Sequence, residues 1–188
     1  MRKCLYPLLV GFSLATASLT AASEEMTTYP VTLTDFAQWE KFPAECPGYR
    51  RATVRAYAPA LADYSVAYQS YGSALRNVAT LYFYPRMKDS SAQIQEEVSQ
   101  VLKSHQGAHV VSRREIKLEA KGKAYDATLV TFEFSDPIVE NKPSVSSQLL
   151  IAFLENGTFK VRSTAPAVQG AEAEAAVLEL LKCVTWSS

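Results

Sequence analysis

The chain has 188 residues, with 19 Lys and Arg against 19 Asp and Glu, 48% hydrophobic residues and 3 cysteines. A chain so balanced lacks the basic surplus that phosphate backbones select for, which makes nucleic acid a poor partner. Past the first 23 residues the strongest apolar run is "LLIAFL" (Leu149–Leu154), far below the roughly 20 residues of a membrane-spanning helix.

The opening "MRKCLYPLLVGFSLATASLTAASEE" has the layout of a secretory signal peptide: Arg2 and Lys3, an apolar run from Leu5 to Ala15, then small residues to Ser23. Cleavage is expected between residues 22 and 24, defining a leader over 1–23 and a product in the periplasm or fully secreted; an uncleaved anchor is the alternative. Removing Arg2 and Lys3 leaves 17 basic against 19 acidic residues, a net charge of −2. Cys4 departs with the leader, and the remaining pair, Cys46 and Cys183, is expected to form a disulfide in an oxidising compartment.

Residues 24–62 read as an irregular N-terminal segment. "TDFAQWEKF" suits a short helix from Asp35 anchored by Phe36, Trp39 and Phe42; Pro43 and Pro47 break it, and "TVRAYAPALADY" reads as extended chain interrupted by Pro59.

From residue 63 to 188 the pattern predicts one sandwich domain. "YSVAYQSYG" and "LRNVATLYFYP" flank Gly72-Ser73 as a hairpin. "SSAQIQEEVSQVLKSHQG" shifts to helical period, with Ile94, Val98, Val101 and Leu102 on one face, a capping box at Ser90 and Gln93, and Gly107 past the C-cap. "HVVSRREIKLEA" and "AYDATLVTFEFS" form a second hairpin around Lys121-Gly122-Lys123. The first of them puts Val111, Arg113, Glu115, Lys117 and Glu119 on one wet face, as an edge strand would. A loop with Pro137 and Pro143 leads to "SSQLLIAFLENGTFKVRST", a third hairpin turning at Asn156-Gly157. The last helix carries a stripe through Ala173, Val177, Leu180, Leu181 and Val184. The expected fold is α+β: a mostly antiparallel sheet of about six strands, ordered β-β-α-β-β-β-β-α, packed between helices. "VATLYFY" and "LLIAFL" are apolar on both faces and are expected in the middle of the sheet, covered on both sides.

"TLYFYPR", the helix after it, "ATLVTFEF" and "LLIAFLENGTFKVRSTAP" resemble the α/β/α sandwich of the Mog1/PsbP-like group, which includes exported bacterial proteins of the DcrB type. The resemblance spans residues 63 to 184. It implies an assembly or binding accessory, and it carries over no functional residue.

For chemistry, His105 and His109 in "HQGAH" are four apart, but Gln106-Gly107 breaks the helix between them, and no metal or cofactor is expected. Enzyme signatures with a nucleophile elbow, a zinc-binding His pair or a phosphate-binding glycine loop are missing from the sequence, so no catalytic residue is assigned. The candidate binding surface combines Tyr68, Tyr82 and Tyr84 with the basic residues Arg50, Arg51 and Arg55. Rigid aromatic rings with a polar tip suit an interface, and the arginines suit an anionic or acidic partner. The plainer alternative packs the tyrosines under a helix and leaves the arginines as solvated strand faces. The resulting expectation is a non-catalytic binding or assembly accessory of the bacterial cell envelope, with an envelope protein or other periplasmic component as partner. A periplasmic inhibitor or immunity protein against a toxin or lytic enzyme is the alternative, and a carboxylate-based hydrolase the third.

Overall fold

In a computed structural model, which describes residues 41–57, 63–85, 89–120, 122–135, 143–155 and 157–185, strand signals become a single antiparallel sheet. The leader, its cleavage site and the helix expected from Asp35 lie outside the described residues. The strands are β1 (Glu45–Cys46), β2 (Tyr49–Ala56), β3 (Tyr64–Ser70), β4 (Val78–Tyr84), β5 (His109–Ala120), β6 (Lys123–Ser135), β7 (Ser144–Leu154) and β8 (Gly157–Pro166). Helix α1 (Ser90–Ser104) follows β4; a short 3-10 turn (Ala167–Gln169) and helix α2 (Gly170–Cys183) follow β8.

The sheet order is β1-β2-β3-β4-β8-β7-β6-β5. Eight strands are described where about six were expected, and both additional ones precede residue 63. Tyr49–Ala56 pairs with β3 over its whole length, around a bulge between Arg51 and Thr53. Its one-sided burial was masked in the sequence by three arginines and by that bulge, which shifts the period-2 pattern. The hairpins found at Gly72, Gly122 and Gly157 stand. Gly72 and Gly122 hold positive φ (74° and 73°), which favours glycine. Gly157 serves differently: it opens β8, and a Cβ there would lie 2.9 Å from the Tyr84 carbonyl of β4.

The two helices cover opposite faces of the sheet. Ile94, Val98 and Val101 of α1 pack on Val130, Phe132, Leu149 and Ile151 of β6 and β7. Leu102, expected in that stripe, is 38% exposed. On the other face Val177, Leu180 and Leu181 of α2 close over Leu129, Leu150, Val161 and Phe159. Phe42, Tyr49, Tyr64, Tyr68 and Leu81 extend that core toward β2 and β3. Each such large apolar side chain contributes about 1.5–3 kcal/mol on full burial.

The cap of α1 lies one residue earlier than expected. Asp89 Oδ1 accepts from Ser91 N at 2.9 Å and Ala92 N at 3.0 Å, and its carboxylate also suits the positive end of the helix dipole. Gln93 is freed from capping and points inward, donating to Thr158 Oγ1 at 3.1 Å. At the far end of the other layer, Cys46 of β1 and Cys183 of α2 form a disulfide, with Cα atoms 5.9 Å apart and 137 residues between them. Thr185 N, just past α2, donates to Lys41 O at 2.7 Å, so the described chain's first and last residues also meet there.

Candidate functional site

Cross-strand partners share a face, so the register of the sheet shows which side chains look toward α1. One row reads Arg55, Ser65, Tyr82, Lys160, Ile151, Thr128, Glu115 from one edge to the other. The next reads Thr53, Ala67, Thr80, Arg162, Leu149, Val130, Arg113, and a third begins Arg50, Gln69, Val78, Thr164, Ser147. In the β6–β7 half these rows hold Ile151, Leu149, Val130 and, beside Ser147, Phe132, the apolar side chains that seat α1. The β2-β3-β4-β8 half is polar, aromatic and cationic. Val78 at its centre is 48% exposed. The expectation that β4 is covered on both sides therefore holds for Ala79 and Leu81, buried on the α2 face, and not for the alternate set Val78, Thr80, Tyr82 and Tyr84.

Where α1 overhangs this open half, a cleft of about 380 Å³ lies between Glu97, Gln100, Ser104 and His105 above and Thr80, Tyr82, Lys160, Arg162 and Thr164 below. Its floor is a compact network. Lys160 Nζ donates to both oxygens of Glu97, at 2.9 and 3.1 Å, and both side chains are about 15% exposed or less. The same ammonium lies 4.5 Å from the Tyr82 ring centre and 5.2 Å from that of Tyr84, where ring quadrupoles favour a cation. Tyr84 donates its hydroxyl to Glu97 Oε1 at 2.6 Å. Burial, followed by its bond to the Glu97 carboxylate, pushes the Tyr84 hydroxyl well above the usual phenol range, and burial raises Tyr82 too. Both stay protonated donors across the physiological range. Arg162 is held below the usual guanidinium value chiefly by desolvation, offset by Tyr82 and Glu97.

Of the residues nominated from sequence, the fold gathers Tyr82, Tyr84, Arg50 and Arg55 on this one face. Arg50 pairs with Glu45 at 3.0 Å and lies 4.3 Å from the Tyr71 ring centre; Arg55 is exposed at the outer end of the Tyr82 row. Tyr68 and Arg51 face the other way. Tyr68 is fully buried under the α2 side and donates to Pro43 O at 3.0 Å, so it is a core residue and leaves the surface. Arg51 opposes it across β2–β3 and donates to the Phe42 carbonyl, a bond that fixes the chain before β1. Arg50 and Arg51 part by ordinary strand alternation, and the bulge after Arg51 is what turns Arg55 to the face opposite Arg51.

The histidines stay apart in role. His105 caps α1 and stacks on Phe134 with ring centres 4.1 Å apart, while His109 opens β5. No group of three or more potential metal ligands occurs among the described residues. Arg114 is engaged by Glu174 at 2.5 Å. A larger groove of about 660 Å³ runs between β5 and α2, with Leu118, Leu178, Leu181 and Val184 inside it and charged side chains at its rim. Two of those, Lys117 and Lys182, already pair with Asp126 and Glu179.

Sequence reasoning missed Lys160, Arg162 and Glu97. The signal was present in "TFKVRST", where two cations alternate with Phe159 and Val161 in a strand too apolar on its other face to be an edge. No family model matches the chain, and no curated protein matches it either.

Proposed function

We propose that the chain is an exported, non-catalytic binding or assembly module of the bacterial cell envelope, which docks an acidic protein partner on the open half of the α1-facing sheet surface. The observation that carries this reading is the asymmetry of that surface. Helix α1 seats its apolar stripe on β6 and β7 and touches β8 and the end of β4 only through the polar side chains Gln93 and Glu97. Among the described residues, this leaves much of the cationic, tyrosine-lined face of β2, β3, β4 and β8 beside it. Such a surface combines the aromatic anchors and positive potential that recognise an acidic patch. The Cys46–Cys183 disulfide supports residence in an oxidising compartment, and two helices on opposite faces of an antiparallel sheet are compatible with the Mog1/PsbP-like resemblance. Partly buried Glu97 and exposed Glu115 spend their oxygens on Lys160, Tyr84 and Thr128, which supports a binding role over a carboxylate-based hydrolase.

The test places a photo-crosslinking residue at Val78, in the middle of the open face, and a control at Glu172 on α2. Expected is one saturable protein adduct from Val78 in envelope extracts, weakened by Arg55→Glu and not formed from the control. Equal labelling from both positions, or turnover of a glycan or ester by the purified protein, would overturn the proposal.

A further inference from the structure

Arg162 is the one side chain of the cleft whose bonding the fold leaves incomplete. Its Nε is buried with no hydrogen-bond partner, and it is the only buried side-chain nitrogen or oxygen so placed among the described residues. Its Nη2 donates to the neutral Ser147 Oγ at 3.0 Å, and among the described residues it has no ion-pair partner. Glu97, the one acid lining the cleft among the described residues, is committed to Lys160 and Tyr84. A desolvated guanidinium without a bonded carboxylate is costly, because its charge has lost water and Glu97, bonded to Lys160, offsets this only in part. Proteins keep such groups chiefly where something else completes them.

The surroundings say what would complete it. Thr80 lies directly across the ladder from Arg162, and Thr164 sits two residues along the same face. Both line the cleft, as does the Tyr82 ring, giving two neutral hydroxyls beside one cation. Lys160 and Glu97 cancel as an ion pair, and Arg162 has no ion-pair partner among the described residues, so the cleft presents one unpaired guanidinium. That matches a carboxylate, planar and singly charged, whose two oxygens fit the guanidinium fork. A phosphate group, at about −1.5 to −2 near neutral pH, would bring more charge than the cleft balances. The cleft's 380 Å³ accepts an acidic side chain together with some of its backbone.

We propose that this cleft is a carboxylate-binding site in which Arg162, flanked by Thr80 and Thr164, receives an aspartate or glutamate side chain of the docked partner. The inference rests on the docking face described above and specifies its anchor point.

The test follows the arginine Nε–H resonances of the full chain by NMR while adding N-acetyl-glutamate N-methylamide. Its uncharged counterpart, N-acetyl-glutamine N-methylamide, and inorganic phosphate form separate arms. A saturable shift of the Arg162 signal in the millimolar range is expected, about tenfold weaker for the glutamine probe and weaker for phosphate. In Arg162→Gln, the nearby threonine signals should no longer respond to the glutamate probe. Equal response to glutamate and glutamine, or none to either, overturns the inference using the wild-type chain alone, whatever the variant's folding. Tighter binding of phosphate overturns the carboxylate assignment. If the Val78 adduct persists while the carboxylate fails to bind, only this inference falls; loss of both removes the docking face as well.

Discussion

Removing the Cys46–Cys183 bond is the most informative perturbation of the fold. The bond spans 137 residues, and in the chain-entropy model closing so long a loop lowers the entropy of the unfolded chain by an amount equivalent to about 5 kcal/mol at 25 °C. Measured losses run about 2–5 kcal/mol because the reduced unfolded state keeps some structure. Cys46 is buried against the Phe42–Tyr49–Tyr68 core, so replacing it with alanine adds little cavity but no new polar cost. Against a typical domain stability of about 5–15 kcal/mol, the loss is a large share. With a urea dependence of about 2 kcal/mol/M, the double variant Cys46→Ala/Cys183→Ala should unfold about 1–2.5 M earlier. Far-UV circular dichroism over a urea series reads this directly, with reduced, alkylated wild type as the matched control. A midpoint that stays within about 0.3 M of the oxidised protein would refute the claim that the staple restrains the unfolded chain.

Lys160→Met strands Glu97 beside two tyrosine rings, and should cost about 3–5 kcal/mol in thermal or urea unfolding; adding Glu97→Leu should restore most of it. Gly157→Ala should destabilise by about 1–3 kcal/mol, since the new methyl meets the Tyr84 carbonyl at 2.9 Å and that backbone cannot swing aside. Alkaline titration followed near 295 nm should show late-ionising tyrosines. Burial pushes Tyr49 and Tyr68 from their ordinary value of 10.0 up to about 12. Because the folded values are raised, the unfolded chain releases these protons first. Their contribution is complete below pH 10 and disappears as pH rises toward 12, so unfolding midpoints should fall across that window. Midpoints rising from pH 10 to 12 would contradict the assignment.

Much of the fold is legible because its signals are local. Gly72 and Gly122 mark hairpins, Ile94, Val98 and Val101 mark a helix face, and Leu180 and Leu181 mark another. The missing strand β2 fails the same test for a physical reason: its bulge breaks the alternation, and Arg50, Arg51 and Arg55 mask its buried side. Capping was misplaced by one residue because Ser90 and Asp89 are both good caps, and the charged one wins at a helix N-terminus. The candidate site was half visible. Tyr82 and Tyr84 are adjacent in one strand, whereas Lys160 and Arg162 come beside them only through the β4–β8 pairing, which no local pattern announces. Tyr68, in the same hairpin, looked equivalent to them; its parity points it to the other face and into the core.

The sheet order has one more implication. Residues before α1 make one four-strand meander, residues after it make another, and the two are hydrogen-bonded to each other through β4 and β8. Tyr82 and Tyr84 belong to the first meander, Lys160 and Arg162 to the second, and the cleft straddles the suture between them. An occupant would thus act as a clasp between two separately encoded halves, raising the free energy needed to prise them apart by RT ln(1 + [L]/Kd). Co-expressed as two polypeptides, the halves should reconstitute more readily in its presence.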